Sequence, residues 1–288
     1  MYLKFKNFSF ILIIISGLIL ACTHEEVKNP GSSENTYSPE EQSQSIGKYT
    51  AGCVKGSVQL PVIGPGYQVI RLHRNRYYGN TKLIDFIEDL AARSYKEYGT
   101  VLYIADISKK GGGPVLDEHS SHQIGLDADI LYIHKPLGND SYLKPLAREQ
   151  KNPESVLNRI GTAVDMGKWS RVNEKILMEA SESENVDRIF VNPAIKRELC
   201  REFPGQVWLR KIRPWWGHDG HFHVRLKCPD NSPKCVPTVR IPAGTGCGSD
   251  LAWWFSEDAR LKKIRISKSP PTTEDDITLP EECRNIVR

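Results

Sequence analysis

A stretch rich in histidine and aromatic residues, Trp215 to Leu226, constrains this chain more than any other part of its sequence. It places three of the eight histidines of the chain within six residues. Because side chains on a β-strand alternate between its two faces, His221 and His223 point to one side, roughly 7 Å apart, and Phe222 and Val224 point to the other. The segment therefore predicts a central strand with one apolar face and one face that carries imidazoles.

A second histidine cluster lies about a hundred residues upstream, and it offers the carboxylates that the first cluster lacks. After Gly125, residues 127–133 alternate as a strand that places Asp127 and Asp129 on one face. Two imidazoles and a carboxylate, with an open fourth position, make up the ligand set of a catalytic zinc site.

A single histidine on a strand is more often a core or surface residue than a ligand, but five of eight in two tight clusters favour a metal site. Spacing alone does not decide which residues bind the metal. The candidates are His119, His122, Asp127, Asp129, His218, His221 and His223.

The N-terminus is typical of a bacterial lipoprotein signal. Two lysines precede an apolar run over residues 10–15, and Ala21 directly precedes Cys22. Because the apolar run is short for a membrane span, we predict a signal peptide over residues 1–21, export to the periplasm and a lipid anchor on Cys22. The alternative is an ordinary signal peptide, in which Cys22 has no role.

Composition divides the rest of the chain into two parts. Residues 22–51 are polar and contain Pro, Gly, Ser and Glu, which predicts a flexible tether. Residues 52–288 predict a single domain that contains both helices and strands. Its clearest elements are a helix from the N-cap Asn80 to Gly99, strands over 101–107, 186–191 and 220–226, a helix over 170–183, and a helix from Pro193 to about Cys200.

Charge and cysteine content narrow the class of protein. The chain has 39 basic and 35 acidic residues, and loss of Lys4 and Lys6 with the signal leaves 37 basic ones, which gives no indication of nucleic-acid binding. Six cysteines remain after Cys22, an even number that predicts three disulfides in an exported chain, with 15 arithmetically possible pairings. They are Cys53, Cys200, Cys228, Cys235, Cys247 and Cys283.

Two further pairs of residues near the histidines allow two interpretations each. One interpretation of Trp215 and Trp216 is that both form a wall of a substrate groove. The other is that at least one of them packs in the core. Arg225 and Lys227 are predicted to form a solvated edge, with carboxylate binding as the alternative.

At these motifs the chain resembles the penicillin-insensitive murein endopeptidases, which are related to lysostaphin-type and D-Ala-D-Ala zinc peptidases. The resemblance runs from about residue 52 to the end. It implies an α+β fold in which a central antiparallel sheet carries the zinc site, helices flank the sheet, and disulfides hold extended segments. The matching segments are Cys53–Gly66, His119–Asp129, Arg188–Ile195 and Arg213–Arg225. The positions of the cysteines in that family imply the pairs Cys53–Cys283, Cys200–Cys247 and Cys228–Cys235.

The resemblance also implies roles for individual residues. His122, Asp129 and His223 would bind zinc, and His221 would assist the attacking water as general base or transition-state stabiliser. His119 and His218 would line the site, with His218 as a second catalytic residue and His119 as a further candidate ligand. Asp127 becomes a neighbour of the ligands. Members can carry a histidine shortly after the aspartate that aligns with Asp165, but Lys168 and Trp169 stand there, so we expect one zinc ion per chain.

The activity implied is hydrolysis of D-alanyl-meso-diaminopimelyl cross-links in peptidoglycan. Two alternatives remain from the residues themselves. One is a zinc D,D- or L,D-carboxypeptidase that trims stem peptides, and the other is a non-catalytic lipoprotein that only binds peptidoglycan.

Overall fold

The computed structural model describes residues 43–115, 119–133, 142–268 and 272–287. The signal peptide predicted over residues 1–21 and the predicted lipid attachment at Cys22 lie outside these ranges. Among the helices of the described part, none combines the length and apolar character that a membrane span requires.

The described residues form a mixture of helices and strands. The strands are β1 (Gln44–Lys48), β2 (Ala51–Lys55), β3 (Val58–Gln59), β4 (Ile63–Gly64), β5 (Tyr67–Val69), β6 (Tyr78–Gly79), β7 (Leu102–Ile104), β8 (Asp127–Leu131), β9 (Val186–Val191), β10 (Ile212–Pro214) and β11 (His221–Leu226). The α-helices are α1 (Thr81–Tyr98), α2 (Pro145–Gln150), α3 (Arg171–Glu182), α4 (Pro193–Glu202), α5 (Ser249–Trp253) and α6 (Glu257–Lys268).

Seven strands form one sheet in the order β10-β9-β11-β8-β7-β5-β4. Its centre, β9-β11-β8-β7, is antiparallel, as predicted. The prediction of an antiparallel sheet is wrong on both sides of that centre, where β5 pairs with β7 and β9 with β10 in parallel. The reason is connectivity: α1 joins β5 to β7 and α4 joins β9 to β10, and a helical crossover brings two strands together in parallel.

The two faces of the sheet have different roles. On β11, Phe222 and Val224 belong to the main buried apolar cluster, which also contains side chains of α1 and α3 such as Leu83 and Leu177. Alternation along the strand turns His221 and His223 to the opposite face. Helices therefore pack on one side of β11, and the imidazoles lie on the other.

Helix α1 shows why the local predictions succeed. The side chain of Asn80 accepts a hydrogen bond from the backbone N–H of Lys82 at 3.0 Å, so it caps the first turn. Gly99 ends the helix with φ 65°, a left-handed conformation that glycine adopts without strain. The predicted helices at 170–183 and after Asn192 are likewise confirmed as α3 and α4.

The last residues of the segment predicted as a tether belong to the folded domain. Residues 44–48 form β1, which pairs with β2 in an antiparallel hairpin. Ile46 is buried there, and the Ser45 hydroxyl donates to the backbone carbonyl of Ile124 at 2.7 Å. The polar composition of this segment suggested a solvated chain, but its hydroxyl groups are satisfied by the folded domain.

All three disulfides implied by the family resemblance are present. They are Cys53–Cys283, Cys200–Cys247 and Cys228–Cys235. The second one ties α4 to the segment just before α5. Helices α5 and α6 were not predicted, because the sequence after Cys228 is rich in Pro and Gly and α6 buries little apolar surface, with only Ala259 of that helix buried.

Lys196 on α4 is fully buried and joins two parts of the chain. Its ammonium group donates to the carbonyls of Leu209 at 2.7 Å and Thr245 at 2.8 Å. Burial lowers the pKa of Lys196 to about 7. Between that pH and the ordinary lysine value, the unfolded chain binds more protons than the folded one, so the stability of the folded state rises with pH.

We therefore expect the wild-type protein to gain stability relative to Lys196→Met as the pH rises from 7 to 10, by at most about 1.4 kcal/mol per pH unit. Urea unfolding of both proteins at several pH values measures this difference. A difference that stays constant over this range would show that Lys196 does not titrate on unfolding.

Candidate metal centre

Pairing of β8 with β11 brings the two histidine clusters together. The two strands are antiparallel, with His223 opposite Asp129 and Arg225 opposite Asp127. His122 lies in the loop just before β8 with φ 66°, a left-handed conformation that is uncommon outside glycine. Its Nδ1–H donates to the carbonyl of Ile107 at 2.6 Å, which leaves Nε2 as the nitrogen that faces Asp129.

Two imidazoles converge on one carboxylate oxygen. Oδ1 of Asp129 lies 3.5 Å from Nε2 of His122 and 3.2 Å from Nδ1 of His223. All three residues are buried. Among the residues that the structure describes, neither His122 Nε2 nor Asp129 Oδ1 has a hydrogen-bond partner. Two buried polar atoms that face each other in this way leave a considerable desolvation cost uncompensated.

The spacing of these atoms fits a shared metal ion. Two ligands bound to one zinc at about 2.0–2.2 Å with a tetrahedral angle lie roughly 3.3–3.6 Å apart. The His122–Asp129 separation of 3.5 Å falls within this range, and the His223–Asp129 separation of 3.2 Å lies just below it. Both separations are therefore compatible with a shared metal ion, and the donor set of imidazoles with one carboxylate suits zinc.

His119 is a further possible ligand. His119, His122 and Asp129 form a group whose ligand atoms all lie within 4.8 Å of one another. Nε2 of His119 also lies 2.8 Å from Oδ2 of Asp106, a buried carboxylate that Arg74 contacts at 3.0 Å. Asp106 was not predicted as part of the site, although an acidic residue at the end of a buried strand was a usable signal.

His221 and His218 stand at the open side of the group. Nε2 of His221 lies 3.6 Å from Oδ2 of Asp129, and its side chain is 21% exposed. His218 adopts φ 51°, donates from Nδ1 to the carbonyl of Trp216 at 3.0 Å, and lies 5.1 Å from His221 between ring centres. Burial lowers the pKa of His221, and it lowers the pKa of His218 to about 3, so both rings are neutral near pH 7.

Asp129 is held as a carboxylate. Burial alone would raise its pKa, but His221 and His122 keep the pKa well below the ordinary value. A metal ligand must be deprotonated, so this environment prepares Asp129 to bind a cation.

Asp127 and Arg225 support the group from behind. Arg225 donates to both oxygens of Asp127, from Nε at 2.7 Å and from Nη2 at 3.2 Å. Asp127 also accepts from the backbone N–H of His122 at 3.0 Å and lies 3.0 Å from Nε2 of His223. It therefore fixes both histidines and leaves Nδ1 of His223 to face Asp129.

The charged groups of Asp127, Arg225 and His223 shift one another's pKa values. Burial would raise the pKa of Asp127, but Arg225 and His223 lower it far below its usual value. Burial would lower the pKa of His223, yet Asp127 raises it.

The prediction of a solvated edge at Arg225 is wrong. Arg225 is buried, and its guanidinium lies 4.3 Å from the ring centre of Tyr49, a residue that follows β1 and covers this face of the sheet. Lys227, at the end of the same strand, is exposed as predicted.

Replacing Arg225 by Met is expected to weaken metal binding about 10–100-fold, because Asp127 would lose the partner that holds it against His122 and His223. A zinc titration against a competing chelator measures the change. Lys227→Met removes an exposed cation from the same strand and should leave the affinity unaltered. Equal affinities of the two variants would show that Asp127 orients the ligands without Arg225.

An open groove of about 380 Å³ leads to the histidines. His119, His218 and His223 line it together with Trp215 and Trp216. Trp215 is 48% exposed and Trp216 is partly exposed, so neither residue is a core tryptophan. The groove gives an extended substrate access to the group.

Comparisons with known proteins show which family the sequence matches. The family model for penicillin-insensitive murein endopeptidases matches residues 45–288. A penicillin-insensitive murein endopeptidase of Haemophilus influenzae is 42% identical over 232 residues, which cover 80% of this chain and 78% of the relative. Proteins of the same name from Klebsiella pneumoniae subsp. pneumoniae (38% identical; 85% and 86% covered) and Yersinia enterocolitica (36% identical; 96% and 94% covered) are also similar.

The match thus extends across the hairpin, the sheet and the disulfide-linked C-terminal segment. The chain therefore belongs to the family of penicillin-insensitive murein endopeptidases.

Proposed function

We propose that this murein endopeptidase is zinc-dependent and hydrolyses D-alanyl-meso-diaminopimelyl cross-links, with His122, Asp129 and His223 as the zinc ligands. The observation that supports this proposal most is the pair of buried, unpartnered atoms, His122 Nε2 and Asp129 Oδ1, 3.5 Å apart. His119 is held by Asp106 and remains a candidate fourth neighbour. When bound, zinc supplies a Lewis acid and acidifies water at neutral pH.

The other residues of the site have separate roles in proton transfer and in positioning. His221 lies on the same face of β11 as His223 and is the more exposed of the two, so its imidazole is accessible for proton exchange. His218 is fixed by its bond to the Trp216 carbonyl and packs beside His221, which limits the orientations of that ring. Asp127 and Arg225 keep the ligand atoms in place.

We also propose that the enzyme works in the periplasm, attached to a membrane through lipid on Cys22. The signal-like residues 1–21 and the three disulfides support this proposal, because disulfides persist in oxidising compartments.

Digestion of purified muropeptides tests the activity. Protein stripped with a chelator and then supplied with zinc should convert cross-linked dimers to monomers, and the stripped protein should not. Monomeric pentapeptides in the same assay should keep their terminal D-alanine, which separates this activity from a carboxypeptidase. Intact dimers after incubation with folded, zinc-loaded protein would contradict the proposal.

A further inference from the structure

We infer that four tryptophans beside the groove form a binding site for the glycan strands of murein. This tryptophan shelf consists of Trp215, Trp216, Trp253 and Trp254. The inference rests on the proposed function, because it names the part of the substrate that the peptide-cleaving groove does not hold.

The shelf is one continuous aromatic surface made from two distant segments. Trp216 and Trp254 lie 4.8 Å apart between ring centres, and Trp253 lies 5.3 Å from Trp254. Trp215 lies 6.0 Å from both Trp216 and Trp254. The planes of neighbouring rings meet at 57–84°, so the indoles are tilted or edge to face and do not cover one another as a parallel stack would.

The fold holds the shelf next to the histidines. Trp215 and Trp216 follow β10 and line the groove with His218. Trp253 and Trp254 come from the end of α5, and the Cys200–Cys247 disulfide fixes the segment that leads into that helix. The shelf therefore continues the wall of the groove outward from the site.

Exposure argues against a role in core packing alone. Trp215 is 48% exposed, and the other three rings are partly exposed. Neighbouring aromatic rings that all reach the surface are a feature of binding sites. Burying these rings against a ligand recovers apolar surface that the folded protein leaves in water.

The chemistry of murein identifies the ligand. Its cross-linking peptides carry small and charged side chains, which offer little to a broad aromatic surface. Each stem peptide hangs from an amino-sugar chain, whose pyranose rings present flat faces of C–H groups and apolar N-acetyl methyl groups. A cation also lies on the shelf itself: the ammonium group of Lys262 is 5.5 Å from the ring centre of Trp253. A glycan that bears anionic peptides suits both features.

Cleavage of two matched substrates tests the inference. One is a cross-linked dimer that carries its disaccharides, and the other is the same peptide dimer freed of sugar by an amidase. In Trp254→Ala and Trp253→Ala, the ratio of kcat/KM for the first substrate to that for the second should fall roughly tenfold, a loss typical of aromatic anchors in a binding site. Phe255→Ala removes a 43% exposed neighbour outside the shelf and should keep the wild-type ratio. An unchanged ratio in both tryptophan variants would overturn the inference.

A binding measurement tests the inference without relying on catalysis. Peptide-free glycan strands are titrated by calorimetry into the wild-type protein and the Trp254→Ala variant. We expect binding to the wild type and roughly tenfold weaker binding to the variant. Absence of glycan binding to the wild type would overturn the inference even if dimers are cleaved. Glycan binding without any cleavage of dimers would instead contradict the proposed function and leave the glycan site standing.

Discussion

His122→Ala is expected to lose zinc and to lower the turnover of murein dimers by about 10³-fold or more. The substitution removes Nε2, the buried atom that faces Asp129 Oδ1 without a hydrogen-bond partner among the described residues. Zinc per protein chain by mass spectrometry and the rate of dimer cleavage measure the two effects.

His73→Ala is the matched control for this variant. The His73 side chain is 65% exposed and pairs with Glu149 on the surface, so its removal tests the effect of losing any imidazole. It should retain both zinc and activity. Full zinc content in His122→Ala would contradict the assignment of this residue as a ligand.

His221→Ala is expected to keep zinc and still lose about 10²–10⁴-fold in kcat, the range typical of a positioned proton-transfer group. The physical reason is that the two histidines on β11 turn different ring nitrogens toward Asp129. Asp127 lies against Nε2 of His223, so Nδ1 of that ring faces Asp129. Nε2 of His221 lies 3.6 Å from Asp129, and the His221 side chain is 21% exposed.

Zinc content and kcat should therefore separate in the His221 variant and fall together in the His122 variant. The stability of both variants is compared by thermal unfolding, so that a folding defect is recognised. Loss of zinc in His221→Ala would make this residue a ligand. Wild-type kcat with zinc retained would exclude it from proton transfer.

Local sequence signals predicted much of the fold because they rest on short-range physics. The cap at Asn80, the glycine stop at Gly99 and the alternation from His221 to Leu226 each act within a few residues, and all three are confirmed. The parallel flanks of the sheet were missed because they depend on how strands are connected across a helix, which strand periodicity does not encode.

The environment of the candidate site could be predicted only in part. Alternation correctly placed His223 and Arg225 on one face of β11, but it gave no indication of what covers that face. The cover comes from Tyr49, whose hydroxyl donates to the carbonyl of Leu226, 177 residues away in sequence. This contact turns a strand residue that looked solvated into the buried partner of Asp127.

The tryptophan shelf also depends on contacts between distant parts of the chain, which local sequence patterns do not predict. Trp215 and Trp216 were visible beside the histidines, and groove wall and core packing were both open interpretations. Trp253 and Trp254 reach them because the segment that follows Cys247 is bonded to α4, a pairing that only the family resemblance implied.

X-ray diffraction at the zinc absorption edge, from crystals grown with zinc, tests the central claim most directly. We predict one anomalous peak within about 2.0–2.2 Å of His122 Nε2, Asp129 Oδ1 and His223 Nδ1. A peak bound elsewhere, such as between His119 and Asp106, or no peak at a concentration of zinc that supports cleavage, would contradict the account.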